Sequence, residues 1–251
     1  MSDILYYVIL AGTGLVAGII NTLAGGGSNL TIPALMLLGM PSDIANATNR
    51  VAVLMQSITG VAGFAKHDKL PTADLKPILA ITMLSGALGA LSAGLFSAQI
   101  LTYILLGAMI SMALLMIILP DMIVARDTGY RKLTSAPSRW LMLFIAGFYG
   151  GLIQAGVGFL LLAAFTSALH YDLARANALK LITTLAFTLV AVAVFVVQGL
   201  IVWLPALILG LGAMIGAWVG VKTSLNIKPQ TMRWLLLVMT LAISLLVLLK
   251  V

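Results

Sequence analysis

Long apolar runs almost free of charge leave this chain few ways to fold. Residues 75–96 and 234–249 lack the period-2 alternation of a barrel strand facing lipid. At a rise of ~1.5 Å per residue, ~20 helical residues cross a hydrocarbon core of ~30 Å. Of the 251 residues, 62% are hydrophobic and 8% charged, and mean hydropathy is +1.15. A water-soluble domain of this length could not cover so much apolar surface, so the bilayer is the solvent and the backbone must bond internally. The expected fold is an all-α integral membrane protein. The first segment, residues 4–20, lacks a basic flank and a small-residue cleavage site and reads as a retained membrane segment. Absence of cysteine excludes disulfides, thiolate metal sites and cysteine nucleophiles.

The apolar sequence divides into two sets of five segments. The first set covers residues 4–22, 30–38, 43–64, 73–96 and 100–119. The second covers residues 140–153, 159–169, 172–197, 201–221 and 231–249. This gives a first membrane repeat over 1–120, a cytoplasmic connecting loop over 121–139 and a second membrane repeat over 140–251. The net charge of +7 resides mostly in short connections, which is the placement of topogenic charge, not of a nucleic-acid patch. Lys66, His67, Lys69 and Lys76 assign the third-to-fourth connection of the first set to the cytoplasm. The next connection, Ser97-Ala98-Gln99, has no cation. Arg126, Arg131, Lys132 and Arg139 return the central loop to the cytoplasm. In the second set the pattern is exchanged: the connection at Gln198-Gly199 is uncharged, whereas Lys222, Lys228 and Arg233 mark the next one. Related halves with exchanged loop charge predict two inverted-topology repeats, with both termini outside and Lys250 as an exception.

Each repeat contains a glycine-rich break. Ala24-Gly25-Gly26-Gly27-Ser28-Asn29 interrupts the first, and Gln154-Ala155-Gly156-Val157-Gly158 the second. Each is followed by a short apolar stretch and an Asp-x-Ala-x-Ala helix start, at Asp43 and at Asp172, 129 positions apart. The short segments cover only about half the core, so each repeat is predicted to open with a broken or re-entrant helix pair followed by three transmembrane helices. Backbone exposed at that depth is tolerated inside protein or beside a water-filled cavity. Helices starting near Leu30 and Phe159 would aim free N–H groups and positive dipole ends inward, forming an anion site. The plain alternative is that the glycines only permit tight turns and close packing. No Gly-Lys-Ser/Thr follows them, so they are not a nucleotide phosphate loop.

The candidate binding residues are Gly25, Gly26, Gly27, Ser28, Asn29, Thr48, Asn49, Arg50, Gln154, Gly156, Val157, Gly158, Asn177 and Lys180. Arg50 and Lys180 lie one to two turns inside their segments and either face the glycine tips or snorkel to headgroups. Ser28 either caps its helix or binds ligand; Asn49, Gln154 and Asn177 either bind ligand or bond between helices. Asp43 and Asp172 are expected N-caps. There is no glutamate, and no aspartate lies mid-segment to relay protons. No metal cluster, catalytic constellation or cofactor motif is evident, so an enzyme is not expected. Proton or sodium coupling stays open, as does a homodimer through Gly86-x-x-Gly89 or Gly216-x-x-x-Gly220, although such motifs more often pack helices within one bundle.

On these motifs the chain resembles the TauE/SafE, or sulfite exporter, family of membrane transporters. The resemblance is carried by Asn21-Thr22-Leu23-Ala24-Gly25-Gly26-Gly27-Ser28 with Leu30-Thr31-Ile32-Pro33, by Leu38-Gly39-Met40-Pro41, and by Ala45-Asn46-Ala47-Thr48-Asn49. A weaker copy appears at Gly156-Val157-Gly158 and Ala174-Arg175-Ala176-Asn177, where Asn177 stands in place of the threonine common in the family pattern. The resemblance implies a multi-pass protein of the bacterial cytoplasmic membrane that moves sulfite, a sulfonate or a related organosulfur anion. Secondary transport by alternating access is the expected mode; an anion channel using the same site is the alternative. Membrane lipid and a small anionic solute are the expected partners.

Overall fold

The computed structural model describes residues 3–118, 130–224 and Trp234. Among them the chain is helical, without strands: α1 (Asp3–Ala24), α2 (Ser28–Leu37), α3 (Ser42–Ala65), α4 (Leu75–Ala93), α5 (Ala98–Ile118), α6 (Pro137–Leu152), α7 (Val157–Ala163), α8 (Leu173–Val197) and α9 (Trp203–Ser224). A 3₁₀ turn at Leu133–Ser135 precedes α6, and a π-helical turn at Ala164–Ala168 prolongs α7. The expected segment 231–249 lies outside the described residues apart from Trp234. Arg126, Lys228, Arg233, Lys250 and Ser2 also lie outside them.

Among the described residues, four helical stretches are long and apolar enough to cross a membrane: Ile4–Leu23, Leu75–Ala93, Leu173–Val197 and Trp203–Ser224. The 24-residue α3 has the length as well, but its interior carries Asn46, Asn49, Arg50, Gln56 and Ser57, all buried. These polar residues make it less apolar than the other long helices. α2 and α7 are short, as expected, and begin at Ser28 and Val157, two residues ahead of the predicted starts. Left-handed backbone at Gly25 (φ 86°) and Gly156 (φ 74°) turns the chain within two or three residues, so the new helix starts sooner. After α7 the chain returns to the level at which α6 began: the Arg131 N–H donates to the Leu169 carbonyl at 3.0 Å.

The two halves interlock. α1 packs along α9 and α6 along α4, so the first helix of each half lies on the fourth helix of the other; α3 and α8 cross between them. Close approach depends on small residues. A Cβ on Gly18 would sit 2.9 Å from the Ala213 Cα, and one on Gly216 would sit 2.9 Å from the Ile19 nitrogen. On the other side, a Cβ on Gly89 would lie 2.8 Å from the Leu152 nitrogen. The Gly86/Gly89 and Gly216 motifs therefore seat helices inside this chain, where packing without a hydrophobic driving force favours small residues.

Entry into the two long central helices differs. Asp172 caps α8, its carboxylate accepting the Arg175 N–H at 3.0 Å. Asp43 does not cap α3, contrary to expectation: Pro41 holds the capping position in an extended conformation, the helix starts at Ser42, and Asp43 falls in the first turn. Proline with its fixed φ admits the helix one residue early. The Ser42 hydroxyl donates to the Ala98 carbonyl at 2.5 Å and ties the start of α3 to that of α5.

Exposed charge collects at one end of the bundle. Lys66, Lys69 and Lys76 flank the α3–α4 connection, Arg131, Lys132 and Arg139 precede or open α6, Arg175 opens α8, and Lys222 closes α9. At this end the Asp74 carboxylate accepts both the Tyr130 hydroxyl and the Leu133 N–H at 2.5 Å, fastening the segment before α6 to the start of α4. Burial, reinforced by the bond to Asp74, pushes the Tyr130 phenol well above its ordinary pKa. Among the described cations only Arg50 and Lys180 lie elsewhere, in the interior.

Candidate functional site

The two glycine breaks meet. A Cβ on Gly25 would lie 2.6 Å from the Gly158 carbonyl carbon, and one on Gly158 would lie 2.6 Å from the Gly25 carbonyl oxygen. Only backbone fits between the tips at this point. A Cβ on Gly27 would lie 2.7 Å from the Asn21 Cβ, so the α1–α2 turn is equally tight against its own preceding helix. Gly25, Gly26, Gly27, Ser28, Asn29, Gln154, Gly156, Val157 and Gly158 are all buried. Gln154 adopts the left-handed region at φ 69°, the conformation of Gly25 in the other break, although it carries a side chain.

Three hydrogen-bond networks surround the tips. At α2, the Asn49 amide donates to the Ser28 hydroxyl at 3.1 Å, and the Thr31 hydroxyl donates to the Asn49 carbonyl oxygen at 2.5 Å. Ser28 is the first residue of α2 and does not cap it. At the end of α6, the Arg50 guanidinium donates to the Gly150 carbonyl, to the Gly151 carbonyl at 2.7 Å and to the Gln154 side chain, and also reaches Asn46 at 3.4 Å. The Thr188 hydroxyl donates to Gln154 as well, at 3.4 Å. At the end of α1, the Lys180 ammonium donates to the Asn21 carbonyl at 2.8 Å, the Thr22 carbonyl at 3.0 Å and the Asn177 side chain at 2.7 Å.

The last two networks are counterparts. The 129-residue offset that aligns the helix starts carries Asn21 and Thr22 onto Gly150 and Gly151. Each half therefore sends a cation across to the same two carbonyls of the other half. The terminal carbonyls of a helix lack intrahelical partners and carry partial negative charge, so they are natural receivers for a buried cation. The Arg50 guanidinium also lies 5.6 Å from the centroid of Phe195. Arg50 and Lys180 are 0% and 1% exposed, so neither snorkels, and their bonds run to helix ends. No aspartate is buried among the described residues to neutralise them.

Several polar atoms in this interior have no protein partner: both amide atoms of Asn29, the Asn177 amide nitrogen, the Thr22 hydroxyl and the Arg50 Nε. Leaving each such group unbonded costs ~1–3 kcal/mol. Thr48 is the candidate not brought here: its hydroxyl accepts the Val202 N–H at 3.1 Å and fastens the α8–α9 connection.

Sequence reading missed the receivers Asn21 and Thr22, together with Thr31, Asn46 and Thr188. It also missed buried Gln56 and Ser57 on α3 and buried Thr183 and Thr184 on α8. A signal for these was present. Asn46, Asn49/Arg50 and Gln56/Ser57 recur at helical spacing, as do Asn177, Lys180, Thr184 and Thr188, and both sets trace one polar stripe along an otherwise apolar helix.

The family described as Sulfite exporter TauE/SafE matches residues 10–247 of this chain. A probable membrane transporter protein, ORF9, of a Sinorhizobium species is 25% identical over 246 residues, covering 97% of this chain and 94% of the relative. The probable membrane transporter protein YfcA of Escherichia coli K12 is 26% identical, covering 92% and 85% respectively. A probable membrane transporter protein of Haemophilus influenzae is also 26% identical, covering 92% and 90%.

Proposed function

This chain belongs to the sulfite exporter TauE/SafE family, a family of membrane transporters, and on that premise we propose that it carries a small anion, sulfite or a sulfonate, across the bacterial cytoplasmic membrane. The observation that carries this reading is the meeting of Gly25 with Gly158, together with unpartnered buried amide nitrogens on Asn29 and Asn177 and two buried cations. The start of α2 supplies backbone donors and a positive dipole end. Asn29 and Asn177 supply amide donors. Arg50 and Lys180 give the region positive potential without a carboxylate, while their hydrogen bonds hold the ends of α6 and α1 in place. The solute is bound beside the touching glycine tips, near the midplane.

The repeat reading, units over 1–120 and 140–251 with opposite orientation, is part of this proposal. It is supported by the collection of exposed cations at one end of the bundle, by the exchanged α1–α9 and α6–α4 pairings, and by the two cross-half cation bridges. In this reading the cation-bearing end is cytoplasmic, both termini are outside, and alternating access follows from rocking of one repeat against the other. Each rocking step must preserve or exchange the Arg50 and Lys180 bridges, because a buried cation without partners is strongly destabilising. The polar stripes of α3 and α8 are the walls along which the solute leaves.

Thermal unfolding of the purified protein in sulfite, sulfate, thiosulfate, sulfoacetate, taurine and acetate tests the ligand class, because a ligand that binds the folded state raises the midpoint with concentration. Counterflow in proteoliposomes loaded with the stabilising anion then separates a carrier from a channel: a carrier shows trans-stimulation and saturation. A midpoint that none of the six solutes raises with concentration would refute the anion site.

A further inference from the structure

At the cation-bearing end, a cleft of about 450 Å³ opens between the last turns of α3 and of α9. It is remote in sequence from the glycine tips, and nothing in the proposed transport reading uses it. Its polar lining is Thr59, Lys66, His67 and Lys222; its apolar lining includes Ile58 and Trp218. Among the described residues no carboxylate lines it. The two ammonium groups belong to different helices, so together they form a divided positive rim.

Two of the polar groups are already oriented. The Lys222 ammonium lies 3.7 Å from the centroid of the Trp218 ring, a cation–π contact that parks the charge at the mouth of the cleft. His67 Nδ1 donates to the Gly63 carbonyl at 2.9 Å, since a carbonyl can only accept, and the ring stands against the α3 backbone. Lys66 follows Ala65 at the close of α3, where its N–H donates to the Ala62 carbonyl at 3.2 Å and its ammonium is left to the cleft.

The apolar side of the cleft continues up the bundle. Leu204, Leu207, Leu211, Ile215 and Trp218 lie along one face of α9 at helical spacing, each between 44% and 57% exposed. This stripe runs from the uncharged end of the bundle to the cleft, and Ile58 of α3, 52% exposed, lies beside its lower end in the cleft wall. An apolar track of this length, ending in a tryptophan and two lysines, has the profile of an acyl chain joined to a phosphate. A free inorganic anion would meet the lysines but would have no use for the track.

We propose that the cleft between α3 and α9 is a binding site for an anionic phospholipid of the leaflet at the cation-bearing end. The phosphate is held between Lys66 and Lys222, the proximal acyl carbons lie on Trp218 and Ile58, and the chain follows the exposed face of α9. Uncharged and zwitterionic lipids bind the same track more weakly because they offer no net negative charge to the two ammonium groups.

The test uses Trp218 as the reporter in the full-length protein, with Trp140, Trp203 and Trp234 replaced by Phe. It is reconstituted in phosphatidylcholine vesicles containing a small fraction of chain-brominated lipid, either phosphatidylglycerol or phosphatidylcholine. Brominated phosphatidylglycerol is expected to quench Trp218 with roughly thirtyfold higher apparent affinity than brominated phosphatidylcholine, the scale set by two surface lysines. Lys66→Gln combined with Lys222→Gln should bring the ratio to about one, and Lys66→Arg with Lys222→Arg should restore it, which separates a charge effect from damage to the fold. Equal quenching by both lipids in the parent protein would overturn the proposal, as would a preference that survives the Gln pair. Displacement of brominated phosphatidylglycerol by millimolar inorganic phosphate would also overturn it and assign the cleft to a free anion.

Discussion

Substituting the two touching glycines separates backbone strain from steric overlap, because the chain offers one position for each. At Gly158 the helical backbone accepts any residue, but an added Cβ meets the Gly25 carbonyl oxygen at 2.6 Å. At Gly39, φ is 97° and an added Cβ meets nothing within 4 Å. Gly25 combines both problems: φ is 86°, and the Cβ meets the Gly158 carbonyl carbon at 2.6 Å. The opposing Cα atoms come nearer still, and ordinary carbon contacts lie at ~3.5–4.0 Å, so the tips must part by well over ~1 Å to admit a methyl group. Overpacking of this kind costs ~1–3 kcal/mol. A left-handed alanine costs ~1–2 kcal/mol. The expected loss of stability is therefore ~1–3 kcal/mol for Gly158→Ala, ~1–2 for Gly39→Ala and ~2–5 for Gly25→Ala. Stability is to be read from reversible unfolding in mixed micelles, and function from initial rates of anion movement in proteoliposomes. Gly39→Ala should transport normally once folded. Gly158→Ala should lose transport out of proportion to its stability, because parting the tips displaces the donors on either side of them. A Gly158→Ala protein that transports at the parental rate would show that the contact is packing alone.

The cross-half bridges give a second expectation. Lys180→Met keeps the length of the side chain but leaves the Thr22 carbonyl without its partner, while the Asn21 carbonyl keeps the Gly25 N–H, so it should lower stability by ~1–3 kcal/mol, whereas Lys180→Arg should recover part of the loss; identical unfolding of the Met variant and parent would refute the bridge. Helix entry gives a third: Asp172→Ala removes a capping bond and should cost ~1 kcal/mol, while Asp43→Ala, which removes none, should cost less, and the order is checked by unfolding of the two variants side by side. The fourth is a pH dependence. Because the Tyr130 pKa is raised in the folded chain, the bond to Asp74 contributes below the unfolded phenol pKa of ~10 and is lost as pH rises beyond it. The gap in stability between parent and Tyr130→Phe should therefore be widest at neutral pH and close at alkaline pH.

What the sequence made legible, and what it hid, follows from the kind of physics involved. Apolar length predicts membrane helices because the bilayer sets one thickness, and the four spanning stretches fall where the apolar runs are. Breaks and left-handed turns were legible because glycine is used where other residues strain, at Gly25 and Gly156. Asp172 was legible as a cap and Asp43 was not, because Pro41 alone decides which residue starts α3. The partners of Arg50 and Lys180 were the least legible. A cation inside an apolar helix announces that it must be compensated, and the sequence shows carboxylates, headgroups and a bound anion as possible compensators. The structure uses none of these for the hydrogen bonds it makes. It uses chiefly main-chain carbonyls, which every residue has, at the ends of helices that lie 100 or more positions away, with the Gln154 and Asn177 side chains beside them. Backbone acceptors leave no mark in composition. What does leave a mark is the offset itself: once Asp43 and Asp172 are aligned, the two receiving pairs of carbonyls align as well. The cations do not, since the same offset carries Arg50 onto Leu179 and Val51 onto Lys180. A one-residue slip on a helix rotates a side chain by ~100°. The longer, forked guanidinium and the slimmer ammonium thus reach matched targets from unmatched positions. The targets rather than the charges are the repeated element, which makes the ends of α1 and α6 the parts of the fold with least freedom to change shape.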